Sequence, residues 1–183
     1  MDRYIASPQD ILAFWLAAGH DKWFNKHEAF DAEILARFLP TYEAAAAGQL
    51  SDWETSAEGA LALTIVLDQF SRNMFRGDAR TYAADPVARD AVKRAIARGF
   101  DQQVPKELRS FLYLPLMHSE TPADHEQSVA LYRAHGDPEG IKYAEHHADI
   151  IRRFGRFPHR NAILGRQTTT EEQAFLDGGG FKG

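Results

Sequence analysis

The chain has no cysteine, and that absence alone removes disulfides, zinc-thiolate centres and thiol catalysis. Long apolar runs are missing too: the longest, Ala60 to Leu67, is broken by Thr64 and is far too short to span a bilayer. The N-terminal M-D-R-Y-I-A-S-P lacks the apolar stretch of a secretory signal, so a cytoplasmic protein without membrane association is expected. Positive charge is in deficit. A formal net charge of -5 and a pI near 5.9 disfavour nucleic acid as a partner. Neither G-x-x-x-x-G-K-S/T nor a strand-borne G-x-G-x-x-G occurs, and H-E-x-x-H and G-x-S-x-G are missing as well. His118, Glu120, His147 and Asp149 are of metal-binding type but stand at no dense spacing, so neither metal nor cofactor is expected.

What is present is helical punctuation. Ser7-Pro8, Asp85-Pro86, Thr121-Pro122 and Asp137-Pro138 each place an N-cap residue before a proline at the first helical position. Thr55 with Glu58, and Thr169 with Glu172, have capping-box spacing, and glycines at 19, 48, 99, 136 and 155 follow periodic segments. Helices are predicted over 8–18, 28–47, 56–73, 86–98, 105–118, 122–135, 138–154 and 170–176. Pro40 and Pro115 fall inside two of them and predict kinks. No stretch alternates as a strand does. The expected architecture is a single all-α domain over 1–183, of roughly seven to eight helices packed as antiparallel hairpins, with about 177–183 as a frayed glycine-rich tail.

Two segments carry most of the charged chemistry. The 56–73 helix is apolar almost all round, yet Asp68, Gln69, Arg72, Asn73 and Arg76 make one polar stripe along it. Arg152 to Arg166 holds five arginines and a histidine with no acid among them. Guanidinium forks suit carboxylate or phosphate, so this segment predicts either an anion site or a buried ion-pair network. In the 138–154 helix, Tyr143, His147, Ile150 and Phe154 share an apolar face, while His146 lies on its polar neighbour. His147 is therefore the imidazole whose environment is best placed to tune it. His118 and Glu120 occupy the corner before Thr121-Pro122.

Three stretches, L-D-Q-F-S-R-N-M-F-R-G at 67–77, L-P-L-M-H-S-E at 114–120 and F-G-R-F-P-H-R-N at 154–161, carry a family resemblance. With W-F at 23–24, F-D at 30–31 and L-G-R-Q-T-T-T-E-E at 164–172, nearly the whole chain resembles an uncharacterised bacterial family of all-helical proteins. The resemblance implies a tetratricopeptide-like helical arrangement, although no internal repeat can be written down from the sequence. It implies no catalytic assignment.

The expected site is one polar pocket for a small anionic molecule bearing a carboxylate or phosphate. Asp68, Gln69, Arg72, Asn73, Arg76, Arg156, His159, Arg160 and Asn161 would bind it, and His147, Glu120 and His118 would handle protons or hydrolysis. The rival expectation is a non-enzymatic scaffold for a protein partner. Its arginines would be structural, paired with Asp31, Asp68, Glu120 and Asp149.

Overall fold

The computed structural model describes residues 4–181, and among them the fold is all-α. Eight helices follow in order: α1 (Pro8–Phe24), α2 (Glu28–Ala46), α3 (57–74), α4 (Asp85–Ala97), α5 (Leu114–Met117), α6 (Pro122–His135), α7 (Pro138–Phe154) and α8 (Thr170–Asp177). No helix among the described residues is long and apolar enough to cross a membrane. The described residues fall into two compact units, one of 4–76 and 80–115, the other of 77–79 and 116–181.

The first unit is built on α3, which packs against α1, α2 and α4. Leu61, Ala62, Ile65, Val66, Leu67 and Phe70 are all buried on it. Trp15 stands at the centre of an aromatic cluster, its ring 5.8 Å from Phe70 and 5.5 Å from Phe111. Ser7 and Asp10 close a capping box at the start of α1, and Gly19 breaks its helical path with φ 74°, where a C-cap glycine was expected. The other four glycines expected as caps also have positive φ. At α3 the cap is Ser56 rather than Thr55, its hydroxyl accepting from the Gly59 N–H. Asp85 caps nothing: it is the first residue of α4, and its carboxylate turns to Arg72 instead.

Two prolines act differently. α2 stays helical through Pro40. Before Pro115 the expected α-helix is replaced by a tighter 3-10 coil, Lys106–Leu112, followed by the single turn of α5. Proline has no N–H to give the Phe111 carbonyl and crowds the residue before it, so α winding fails there.

In the second unit α6 and α7 form an antiparallel hairpin. Gly140 lets the two approach closely, since a Cβ there would stand 2.5 Å from the Tyr132 ring. Asp137 caps α7 through the Glu139 N–H. The buried face of α7 is Gly140, Ala144, His147, Ala148, Ile150 and Ile151. Tyr143, expected on that face, is exposed because the stripe is centred one position further round.

Candidate functional site

In the first unit, residues Ile65–Phe70 of α3 are wound as a π turn, with one more residue per turn than the α-helix around it. Within this turn the Asp68 carbonyl accepts from Ser71 Oγ at 3.0 Å and Arg72 Nη1 at 2.8 Å. Arg72 also sits 3.2 Å from the buried Asp68 carboxylate and grips Asp85 with both nitrogens at 3.0 and 3.1 Å. Burial works against the Arg72 charge, but Asp68 and Asp85 outweigh it and hold the guanidinium above its ordinary range. Gln69 donates to Asp68 at 2.7 Å. One turn on, Asn73 and Arg76 both donate to Asp31 at 2.6 Å. The stripe is thus answered by carboxylates of its own unit.

The arginine segment of the second unit is laced in the same way. Arg156 places Nε 2.6 Å and Nη2 2.9 Å from the two oxygens of Glu172. Glu172 also accepts from Asn161 Nδ2 at 3.1 Å and closes a capping box with Thr169 at the start of α8. Asn161 in turn accepts from Arg166 Nε at 2.9 Å, and Arg166 reaches Glu120 with both terminal nitrogens at 2.7 and 3.0 Å. The Phe157 N–H donates to Glu120 at 2.8 Å. One continuous network therefore runs from Glu120 through Arg166, Asn161 and Glu172 to Arg156. Burial alone would raise the Glu120 carboxyl, but the Arg166 fork and the Phe157 N–H prevail and keep it below the usual range. Glu120, expected to move protons, is held as a carboxylate that positions Phe157.

The histidines form a different cluster. His125, His147 and His159 each set a ring 5.7–5.9 Å from the fully buried Phe157 ring. Arg160, 6% exposed, lays its guanidinium 4.6 Å over the same ring and donates to the His118 carbonyl at 2.8 Å. His147 Nδ1 lies 2.7 Å from the Tyr143 carbonyl, which can only accept, so Nδ1 carries the proton and Nε2 keeps a lone pair. By the same logic His125 Nε2 donates to the Ser119 carbonyl at 2.6 Å. Nδ1 of His125 and Nδ1 of His159 are buried with no hydrogen-bond partner. Burial first, then the neighbouring His118, His146 and His125, push His147 down to about 3. Burial and Arg160 push His159 down to about 4; Glu120 pulls the other way, while His118 and Arg166 add to the fall. His125 is lowered as well, mainly by burial.

These directions make stability depend on pH. An unfolded histidine titrates near 6.5. Between that value and the folded values of about 3 and 4, the unfolded chain binds the extra protons. The contribution of the neutral imidazoles is therefore complete above about pH 6.5 and is lost as the pH falls toward about 4. Thermal melts should show a falling Tm over that window, and His147→Asn, which retains a donor for Tyr143, should flatten the slope. An equal slope in the variant would assign the acid sensitivity to other groups.

The structure thus distributes the expected site residues. Asp68, Gln69, Arg72, Asn73 and Arg76 belong to the first unit, with Asp31 and Asp85 as partners. Glu120, Arg156 and Asn161 belong to the second-unit network; His118, His147, His159 and Arg160 belong to the cluster around Phe157. Sequence reasoning did not single out Arg166, Glu172 or His125 as site residues. The capping-box spacing already placed Glu172 at the start of α8, and Arg166 ends the arginine segment; nothing in the sequence marked His125. Among the described residues no group of three or more histidine or acidic side chains is arranged to hold a metal ion.

A solved structure from Agrobacterium tumefaciens, described as a protein of unknown function, ATU0120, is 48% identical to this chain. The likeness covers 93% of this chain and 97% of that one, with a TM-score of 0.90. Comparison with proteins of curated function gave no match. Residues 11–180 match a family described as bacterial protein of unknown function, DUF924, and the chain belongs to that family.

Proposed function

We propose that the protein binds a small anionic molecule, bearing a carboxylate or phosphate, in its second unit beside Arg160. His147, His159 and His118 would handle its protons, in proton transfer or hydrolysis. The observation that carries this reading is the pair of buried ring nitrogens, Nδ1 of His125 and Nδ1 of His159, left without partners around a buried guanidinium. Buried polar atoms are rarely left so unless a ligand, ion or water answers them. Carboxylates of the chain fill the forks of Arg72, Arg76, Arg156 and Arg166; Arg160 is chosen because its buried guanidinium lies in the histidine cluster.

An arriving anion favours protonated imidazole, so binding takes up protons and strengthens as the pH falls from about 8 to about 6. The test is a thermal-shift and calorimetric titration with inorganic phosphate and small dicarboxylates. At about 100 times its Kd a ligand stabilises by about 2.7 kcal/mol, a shift of roughly 5–11 °C for a chain of this size. Arg160→Ala is expected to abolish the shift, while Arg156→Ala keeps it on a lower-melting protein. Undiminished binding by Arg160→Ala sinks the reading.

A second reading, a helical scaffold for a protein partner, draws on the same saturation of the arginines. It predicts no anion-dependent shift at either pH.

A further inference from the structure

The glycines that follow α8 lead to an aromatic ring, Phe181, placed on the histidine cluster. After α8 the backbone turns back on itself: Gly178 N–H donates to the Ala174 carbonyl at 3.0 Å and Gly180 N–H to the Phe175 carbonyl at 2.9 Å. Gly179 has φ 83°, and a Cβ on Gly180 would lie 2.5 Å from the Phe175 carbonyl oxygen and 2.6 Å from its ring. Side chains would block this path. What the path achieves is the position of Phe181, whose ring stands 4.6 Å from His147, 5.1 Å from His159 and 5.9 Å from His146. Phe181 is half-buried and packs on the apolar cluster of Ile150, Ile151 and Phe157. A phenyl ring carries no hydrogen-bonding group, so it covers the imidazoles without satisfying them.

We propose that Phe181 is a lid over the histidine site, hinged on Gly178–Gly180, and that release of the tail opens His147 and His159 to water and to the anion. The proposal deepens the reading of that site and rests on it. A lid of this kind suits the geometry for three reasons. It is held by one half-buried ring and a few backbone hydrogen bonds, the kind of attachment that opens locally at little cost. It follows α8, the last helix among the described residues, so no described helix beyond it has to move. It covers the two imidazoles nearest to it, His147 and His159, and leaves His125, which contacts Phe157, to be buried by other groups.

Among the described residues the charged and titratable groups acting on the covered pair are His118, His125, His146, Glu120, Arg160 and Arg166. None of these six is on the tail, so replacing Phe181 changes exposure and leaves their charges in place. The experiment compares the full chain with Phe181→Ala and with Gly180→Ala, which keeps the ring but obstructs its path. Ring titrations by NMR and the rate of histidine acylation by diethyl pyrocarbonate are followed for each residue. His147 and His159 are expected to react about tenfold faster or more in both variants and to titrate closer to the ordinary histidine value, with His125 unchanged. Equal rates in all three proteins overturn the lid, as does a rise shared equally by His125, which would mean general loosening. Inorganic phosphate is titrated alongside. Faster phosphate association in Phe181→Ala supports lid and site together. Histidines that open while phosphate binds none of the proteins keep the lid and remove the anion reading.

Discussion

Glu172→Ala should lower the stability of the protein by about 3 kcal/mol, a fall in Tm of roughly 6–12 °C. The carboxylate is 3% exposed and answers four donors: Arg156 twice, Asn161 Nδ2 and the Thr169 N–H. Removing it leaves Nδ2 of the fully buried Asn161 with only the long bond to Thr168 Oγ1 at 3.4 Å and opens the capping box of α8. The loss stays toward the low end for a buried pair because Arg156 is partly in water and can turn outward. The electrostatic share has its own pH signature. The Arg156 fork, opposed by burial and aided by the Thr169 N–H and hydroxyl, holds the Glu172 carboxyl down to about 2. An unfolded glutamate titrates near 4.3, so between the two values the unfolded chain binds the extra proton. The contribution is whole above about pH 5 and is lost as the pH falls toward about 2. The Tm gap between the wild type and Glu172→Gln should therefore narrow below about pH 4, a lower window than that of the histidines. A gap constant down to about pH 2.5 would place the loss in the cap and the Asn161 amide rather than in the charge.

The fold was legible wherever it is set locally. A serine, aspartate or threonine before proline fixes a helix start within a few residues, and α1, α6 and α7 begin at the predicted prolines. Thr169 with Glu172 gave α8 its cap. Local rules failed where tertiary packing chooses among windings of similar energy. The π turn at Ile65–Phe70 and the 3-10 coil at Lys106–Leu112 both replace an α-helix that the periodicity alone would continue. The site was legible in residue type and not in pairing. Asp31, Asp68 and Glu120 were expected as arginine partners and are, for Arg76, Arg72 and Arg166. The Arg166–Glu120 pair spans 46 positions, and no sequence spacing encodes such a contact. The gathering of His125, His147 and His159 is of the same kind: they come from α6, α7 and the turn after it, and the Phe157 ring contacts all three.

Phe157→Ala should cost roughly 3–5 kcal/mol, as deletion of a fully buried aromatic ring generally does, with Tm down by roughly 6–20 °C. The backbone of Phe157 is not at stake: its N–H donates to Glu120 and its carbonyl accepts from Arg166 Nη2 at 3.1 Å, and alanine keeps both bonds. What disappears is the ring against which His125 and His147 rest edge-on and His159 tilted, and over which the Arg160 guanidinium lies at 4.6 Å. Phe157→Leu separates the two roles of that ring. Leucine refills most of the volume, so the apolar part of the loss is recovered, but it offers no π face to Arg160 and no aromatic edge contact to the histidines. If the ring orients the cluster, Phe157→Leu melts within about 2 kcal/mol of the wild type. Its His147 and His159 titrations nevertheless shift upward, because imidazoles no longer pinned against an aromatic ring turn toward water. If the ring only fills space, Phe157→Leu restores stability and titration together. In that case hydrogen bonds such as those of Arg160, His125 and His147 to the His118, Ser119 and Tyr143 carbonyls set their orientation without the ring.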